Sequence, residues 1–132
     1  MKTIFYETPG AYVSTVQLID DFSDEELITK GIVDASWSKL ENAEAPDGWP
    51  PLTWRVDDGV IVIDFAVAQT LTKARLRKKR TPLLAELDVA FQRALETGAN
   101  TSTIVAEKQR LRDLPELVDE CTTLDQLKAL SP

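Results

Sequence analysis

At 132 residues, 43% hydrophobic and 28% charged, the chain is long enough for one domain with a real core or for a small domain with a helical arm, and too apolar for disorder. It contains no histidine, which removes the commonest general base, the Ser-His and Cys-His nucleophile pairs and the usual zinc ligand. Cys121 is the single cysteine, so neither an internal disulfide framework nor a cysteine metal site is available.

Net charge is −7 and unevenly spread. Residues 1–66 hold thirteen acids and four bases, a net of −9; residues 67–132 hold eleven bases and nine acids, a net of +2. The asymmetry predicts two regions with different surroundings. An acidic chain argues against a dedicated nucleic-acid binder. No run approaches the roughly 18 apolar residues of a membrane span. The N-terminus lacks the apolar core of a signal peptide. Synthesis in the cytoplasm and no membrane partner are expected.

Lys2 to Tyr6 reads as a strand, Pro9-Gly10 as a turn, and Ala11 to Leu18 as the returning strand of a hairpin. Ser23-Asp24-Glu25-Glu26 is a capping box that opens a short helix ending at Gly31. Its acids suit a helix N-terminus and need no metal to explain them. Ile32 to Trp37 reads as another strand. In the polar loop that follows, Trp49 stands between Gly48 and Pro50. It is read either as an exposed anchor for a partner or as a lid folded back on the core.

Leu52 to Val56, Asp58-Gly59, and Val60 to Phe65 form the clearest local pattern. Asp58-Gly59 favours a type I′ turn between two strands. Alternation predicts that Leu52, Trp54 and Val56 share a buried face. Val60 to Ile63 reads as a strand covered on both sides.

From Phe65 the period becomes helical. Val67, Leu71 and Ala74 form one stripe. Six bases follow within eight residues: Lys73, Arg75, Arg77, Lys78, Lys79 and Arg80. Six bases in about two turns cannot share one face, so they are expected to sheathe the helix. Three readings stay open: a solvated face, a docking site for an acidic protein, or a nucleic-acid contact. Thr81-Pro82 predicts a kink or a fresh helix with Thr81 as cap. Leu84, Leu87, Phe91, Ala94 and Leu95 continue an apolar face up to Gly98. A second helix with Ile104, Lys108, Leu111 and Leu114 ends at Pro115, and the two make a hairpin. Thr123 to Gln126 is a second capping box, opening a helix with Leu124, Leu127 and Leu130 on one face.

The fold class expected is α+β: a small antiparallel β-rich N-terminal domain, residues 1–65, then a helical hairpin and a short C-terminal helix, residues 66–132. No gly-rich phosphate loop, metal-ligand spacing or nucleophile motif occurs. The chain reads as non-catalytic, with no cofactor and no metal. Val67, Leu71, Ala74 and Leu76 beside the basic cluster have the anatomy of an interface with a dry centre and a charged rim. Ala66 to Arg80 is therefore expected to contact another chain, a second copy or an acidic protein.

Several runs carry a resemblance. Trp54-Arg55-Val56-Asp57-Asp58-Gly59, Lys73-Ala74-Arg75, Arg80 to Asp88, Arg110-Leu111-Arg112-Asp113-Leu114-Pro115 and the ending Thr122 to Pro132 resemble small tailed-bacteriophage proteins of the tail-fibre assembly and tail-accessory kind. The likeness is mainly in the C-terminal half. It implies a role in tail or tail-fibre assembly, as a chaperone or as a virion structural component. The implied partner is a phage tail or tail-fibre protein, or the chain itself. The implied place is the host cytoplasm during assembly, or the virion. Two alternatives from other classes are a phage-encoded inhibitor or adaptor that binds a host protein, and a nucleic-acid-associated factor using Lys73 to Arg80.

Overall fold

The computed structural model describes residues 2–132. The fold is α+β. The chain divides into two compact units, Met1–Asp64 and Phe65–Pro132.

The first unit is a curled antiparallel sheet in the order β3-β1-β2-β4-β5. β1 (Lys2–Thr8) and β2 (Tyr12–Leu18) pair along their whole length, Lys2 with Leu18 and Thr8 with Tyr12. The turn between them needs Gly10: its φ is +90°, and a Cβ there would lie 2.8 Å from the Tyr12 ring. β4 (Trp54–Asp57) and β5 (Val60–Ile63) form the second hairpin, closed by Asp58 and Gly59 with φ of 49° and 76°. Two positive φ values in a two-residue loop are what a type I′ turn demands.

Both faces of β1 are covered. Ile4 and Tyr6 join Val16, Leu18, Leu27 and Val33 in one cluster, with Phe22 and Trp37 against it. Phe5, on the other face, packs with Leu40, Trp54, Val56 and Ile61. Leu40 belongs to β3 (Ser38–Leu40), at the opposite end of the strand order from Ile61. Only a curled sheet lets those two meet in one cluster. Thr53 is fully buried, and its hydroxyl is satisfied by the carbonyl of Pro50 at 2.7 Å.

Three sequence expectations fail in this unit. Ile32 to Trp37 is not a strand. The N–H groups of Ile32 and Val33 both donate to the Leu27 carbonyl, which ends α1 (Asp24–Thr29), and Asp34 then accepts from Ser36 and Trp37 in a tight turn. The backbone is committed before a sheet can use it, and only Ser38–Leu40 pairs with β1. Leu52 is 62% exposed, because Pro51–Thr53 forms a 3-10 turn that lifts it off the strand line. Val60 is 60% exposed, because β5 is an edge strand bonded only to β4.

α1 opens with the predicted capping box. Ser23 accepts the Glu26 N–H, and the Glu26 carboxylate accepts the Ser23 N–H at 2.8 Å. That backbone donor holds the Glu26 carboxyl below its ordinary value. A carboxyl lowered by folding contributes stability at pH above its unfolded value, and the contribution disappears as pH falls through the folded value. In an NMR titration Glu26 should show a midpoint below that of a free glutamate, and Ser23→Ala should raise it. An ordinary midpoint in the parent protein would remove the capping box from the account.

The second unit is built on α2 (Phe65–Thr97), a helix of 33 residues. Pro82 lies inside it, so neither a restart nor a Thr81 cap forms. Thr81 instead donates its hydroxyl to the Arg77 carbonyl at 2.9 Å. The helix ends in a Schellman arrangement: Gly98 N–H to Leu95 O and Ala99 N–H to Ala94 O. α3 (Ser102–Asp113), a 3-10 segment (Leu114–Glu120) and α4 (Leu124–Ala129) all pack back on α2. The Asn100 side chain accepts the Ser102 N–H just ahead of α3, and Thr123 with Gln126 makes the second capping box.

Candidate interaction site

The buried line of α2 is Ala68, Thr72 and Leu76 in its first half and Ala94 in its second. It is offset by one residue from the stripe of Val67, Leu71 and Ala74. The covering segments contribute the fully buried Val118 and Leu127. Thr72 satisfies its hydroxyl on the Ala68 carbonyl at 2.8 Å, so a polar residue costs little there.

The residues expected to bind a partner therefore separate. Leu76 is 0% exposed and belongs to the core of its own unit, not to a docking surface. Replacing Leu71 and Leu76 together by Ser would destroy the fold rather than assembly alone. Val67 and Leu71 are half-buried, and Ala74 is exposed. Trp49 belongs to the other unit; it is half-buried, and its carbonyl accepts the Trp54 indole N–H at 3.2 Å.

The six bases also separate. Lys73 pairs with Asp119 at 2.7 Å. The Arg75 guanidinium donates to the carbonyls of Leu127 at 3.2 Å and Leu130 at 2.8 Å, the C-terminal end of α4. The Arg80 guanidinium donates to Leu111 at 3.2 Å and Arg112 at 2.6 Å, near the end of α3. A cation near the C-terminal end of a helix also meets the negative end of its dipole. Arg77, Lys78 and Lys79 are exposed and make no ion pair among the described residues. The uniform sheath read from the sequence is thus a set of internal caps on one side and a short basic strip on the other.

This division is measurable. Arg80→Met should lower stability by about 1–3 kcal/mol, since a charged donor to two carbonyls is lost. Lys79→Met, on the outward strip, should stay within about 0.5 kcal/mol of the parent. Equal urea midpoints for the two variants would place Arg80 in solvent.

In the second half of α2 the apolar cover is thinner. Of the stripe from Leu84 to Leu95 only Ala94 is buried; Leu84, Leu87 and Phe91 are half-buried and Leu95 is 55% exposed. One helix, α3, cannot cover a stripe this wide. Phe91 instead takes the Lys108 ammonium over its ring at 5.2 Å, and Lys108 also pairs with Asp88. Leu111 and Leu114 are buried, as their positions predict.

Between α2 and α3 lies an open groove of about 350 Å³, lined by Leu83, Glu86, Leu87, Ala90, Glu107 and Leu111. Leu83 is 36% exposed. The sequence reading followed 84, 87 and 91 and missed this line, although Leu83, Leu87 and Ala90 stand at the same steps of four and three. Glu86 makes no ion pair among the described residues, whereas Glu107 is held by Arg110 at 2.6 Å. The arrangement offers apolar contact with a carboxylate fringe and no group set for bond chemistry. Among the described residues no cluster of three or more metal-ligating side chains occurs, and no helix is long and apolar enough to cross a membrane. No protein family, curated protein or solved structure matches the chain.

Proposed function

We propose that the chain is a non-catalytic tailed-phage protein that acts in tail or tail-fibre assembly, as a chaperone or a virion structural component, through protein–protein contacts. The resemblance of its C-terminal half to small tail-fibre assembly and tail-accessory proteins supports this reading. The observation that carries it in three dimensions is the incompletely covered hairpin, where Leu83, Leu87, Phe91 and Leu95 retain exposed surface. Contiguous apolar surface with a charged rim is where a partner binds. The absence of histidine from the sequence supports a non-catalytic role. A nucleic-acid role is less well supported, because Lys73, Arg75 and Arg80 are spent on internal partners and only three bases of the cluster face outward.

The test is an amber mutant in the phage that encodes the chain. Particles with missing or fibreless tails are expected, restored by supplying the protein in trans. Mass spectrometry of purified virions then separates a chaperone, absent from the particle, from a structural component. Normal tails and full infectivity in the mutant would overturn the proposal.

A further inference from the structure

We infer that the outer face of α2 around Leu83 binds a second copy of this chain, antiparallel, about a twofold axis between Pro82 and Leu83. The face is the line Lys79, Leu83, Glu86, Ala90 and Arg93, at successive steps of four, three, four and three. Such spacing keeps all of them on one side of a helix. Leu83 gives it an apolar centre, and Lys79 and Glu86 are exposed and without an ion pair among the described residues.

The charge order selects the geometry. Lys79 and Glu86 are seven residues apart, two turns or roughly 10.5 Å along the axis. In a parallel pair, lysine would stack on lysine and glutamate on glutamate. In an antiparallel pair centred on Glu86, Glu86 meets its own copy and Lys79 meets Arg93. Centring the pair between Pro82 and Leu83 instead brings Lys79 of each copy onto Glu86 of the other, twice by symmetry. The partner's Lys78 and Lys79 then lie over the groove, with their aliphatic stems on Leu83 and Leu87 and their ammonium groups toward the carboxylates of Glu86 and Glu107. A small apolar centre with two exposed ion pairs makes a reversible, salt-sensitive contact. This dimer is a property of α2 and stands apart from the assembly reading; its test uses the purified protein alone.

Sedimentation equilibrium of the full chain should show a monomer–dimer equilibrium that weakens as salt rises. Lys79→Glu and Glu86→Lys should each raise the dimer Kd by at least about tenfold, since each change breaks two symmetric pairs. The double variant should return to within about threefold of the parent. Residues seven apart on one helix do not pair with each other, so that rescue can only act between copies. Both changes are on exposed side chains, and circular dichroism should be unchanged in all three variants. In a Cys121→Ser background, Leu83→Cys should form an intermolecular disulfide under air oxidation, and Val105→Cys, exposed on α3, should not. A parent protein that stays monomeric, a double variant as weak as the single ones, or equal crosslinking of both cysteines would overturn the inference.

Discussion

Leu76→Ala is expected to destabilise the helical unit by roughly 2–5 kcal/mol. Leu76 is 0% exposed, on the side of α2 that the 3-10 segment and α4 cover. Its neighbours along the buried line are Ala68 and Thr72, both small, so leucine is the main volume that α2 contributes there. The flanking Arg75 and Arg80 tie α2 to the ends of α4 and α3 and limit how far the site can collapse into a cavity. Leu83→Ala, on the partly exposed outer face, should cost less than about 1 kcal/mol in the monomer. Chemical denaturation followed by far-UV circular dichroism gives both values. A loss below about 0.5 kcal/mol for Leu76→Ala would put that side chain at the surface.

Trp54→Ala should cost roughly 3–5 kcal/mol in the β unit. The ring is buried and meets Phe5 edge-on at 6.0 Å between centroids. Its N–H donates to the Trp49 carbonyl and so holds the proline-rich loop against the sheet. Truncation therefore removes apolar volume and the indole donor at once. Trp54→Phe would keep most of the volume and lose only the bond, and should cost about 1–2 kcal/mol. If both variants lost the same amount, the bond rather than the packing would dominate.

Local grammar was readable where a few adjacent residues decide the outcome. Asp58-Gly59 and the two capping boxes are such cases: the groups that satisfy each other lie within four residues. The strand expected at Ile32 to Trp37 failed for the same kind of reason. Gly31 and Asp34 had already claimed its backbone for a helix cap and a turn. The basic cluster reads as one uniform sheath because the acceptors that divide it lie far away in the chain. Arg75 finds the Leu130 carbonyl 55 residues away and Arg80 the Arg112 carbonyl 32 residues away, and no short-range pattern announces such partners. Leu76 was placed at an interface because Val67, Leu71 and Ala74 look like a complete stripe. Which of two adjacent stripes is buried depends on where the 3-10 segment and α4 pack, and those are supplied from the far end of the chain.

The exposed edge of the sheet has a consequence for how the protein behaves as a colloid. β5 reads Val60-Ile61-Val62-Ile63, four apolar residues without a charge among them. Natural edge strands carry lysine, proline or a bulge to discourage pairing with their own kind. Here the guard is collective: the net charge of −9 on residues 1–66 keeps the sheets of different copies apart at neutral pH. The sequence pI is about 4.6, so this repulsion fades on mild acidification. Concentrated samples should turn cloudy as the pH approaches that value and clear again on return to neutrality. Val60→Lys, which sets a cation across from Asp57 on the neighbouring strand, should suppress the turbidity. Precipitation of that variant to the same extent would show that the edge is not the adhesive surface.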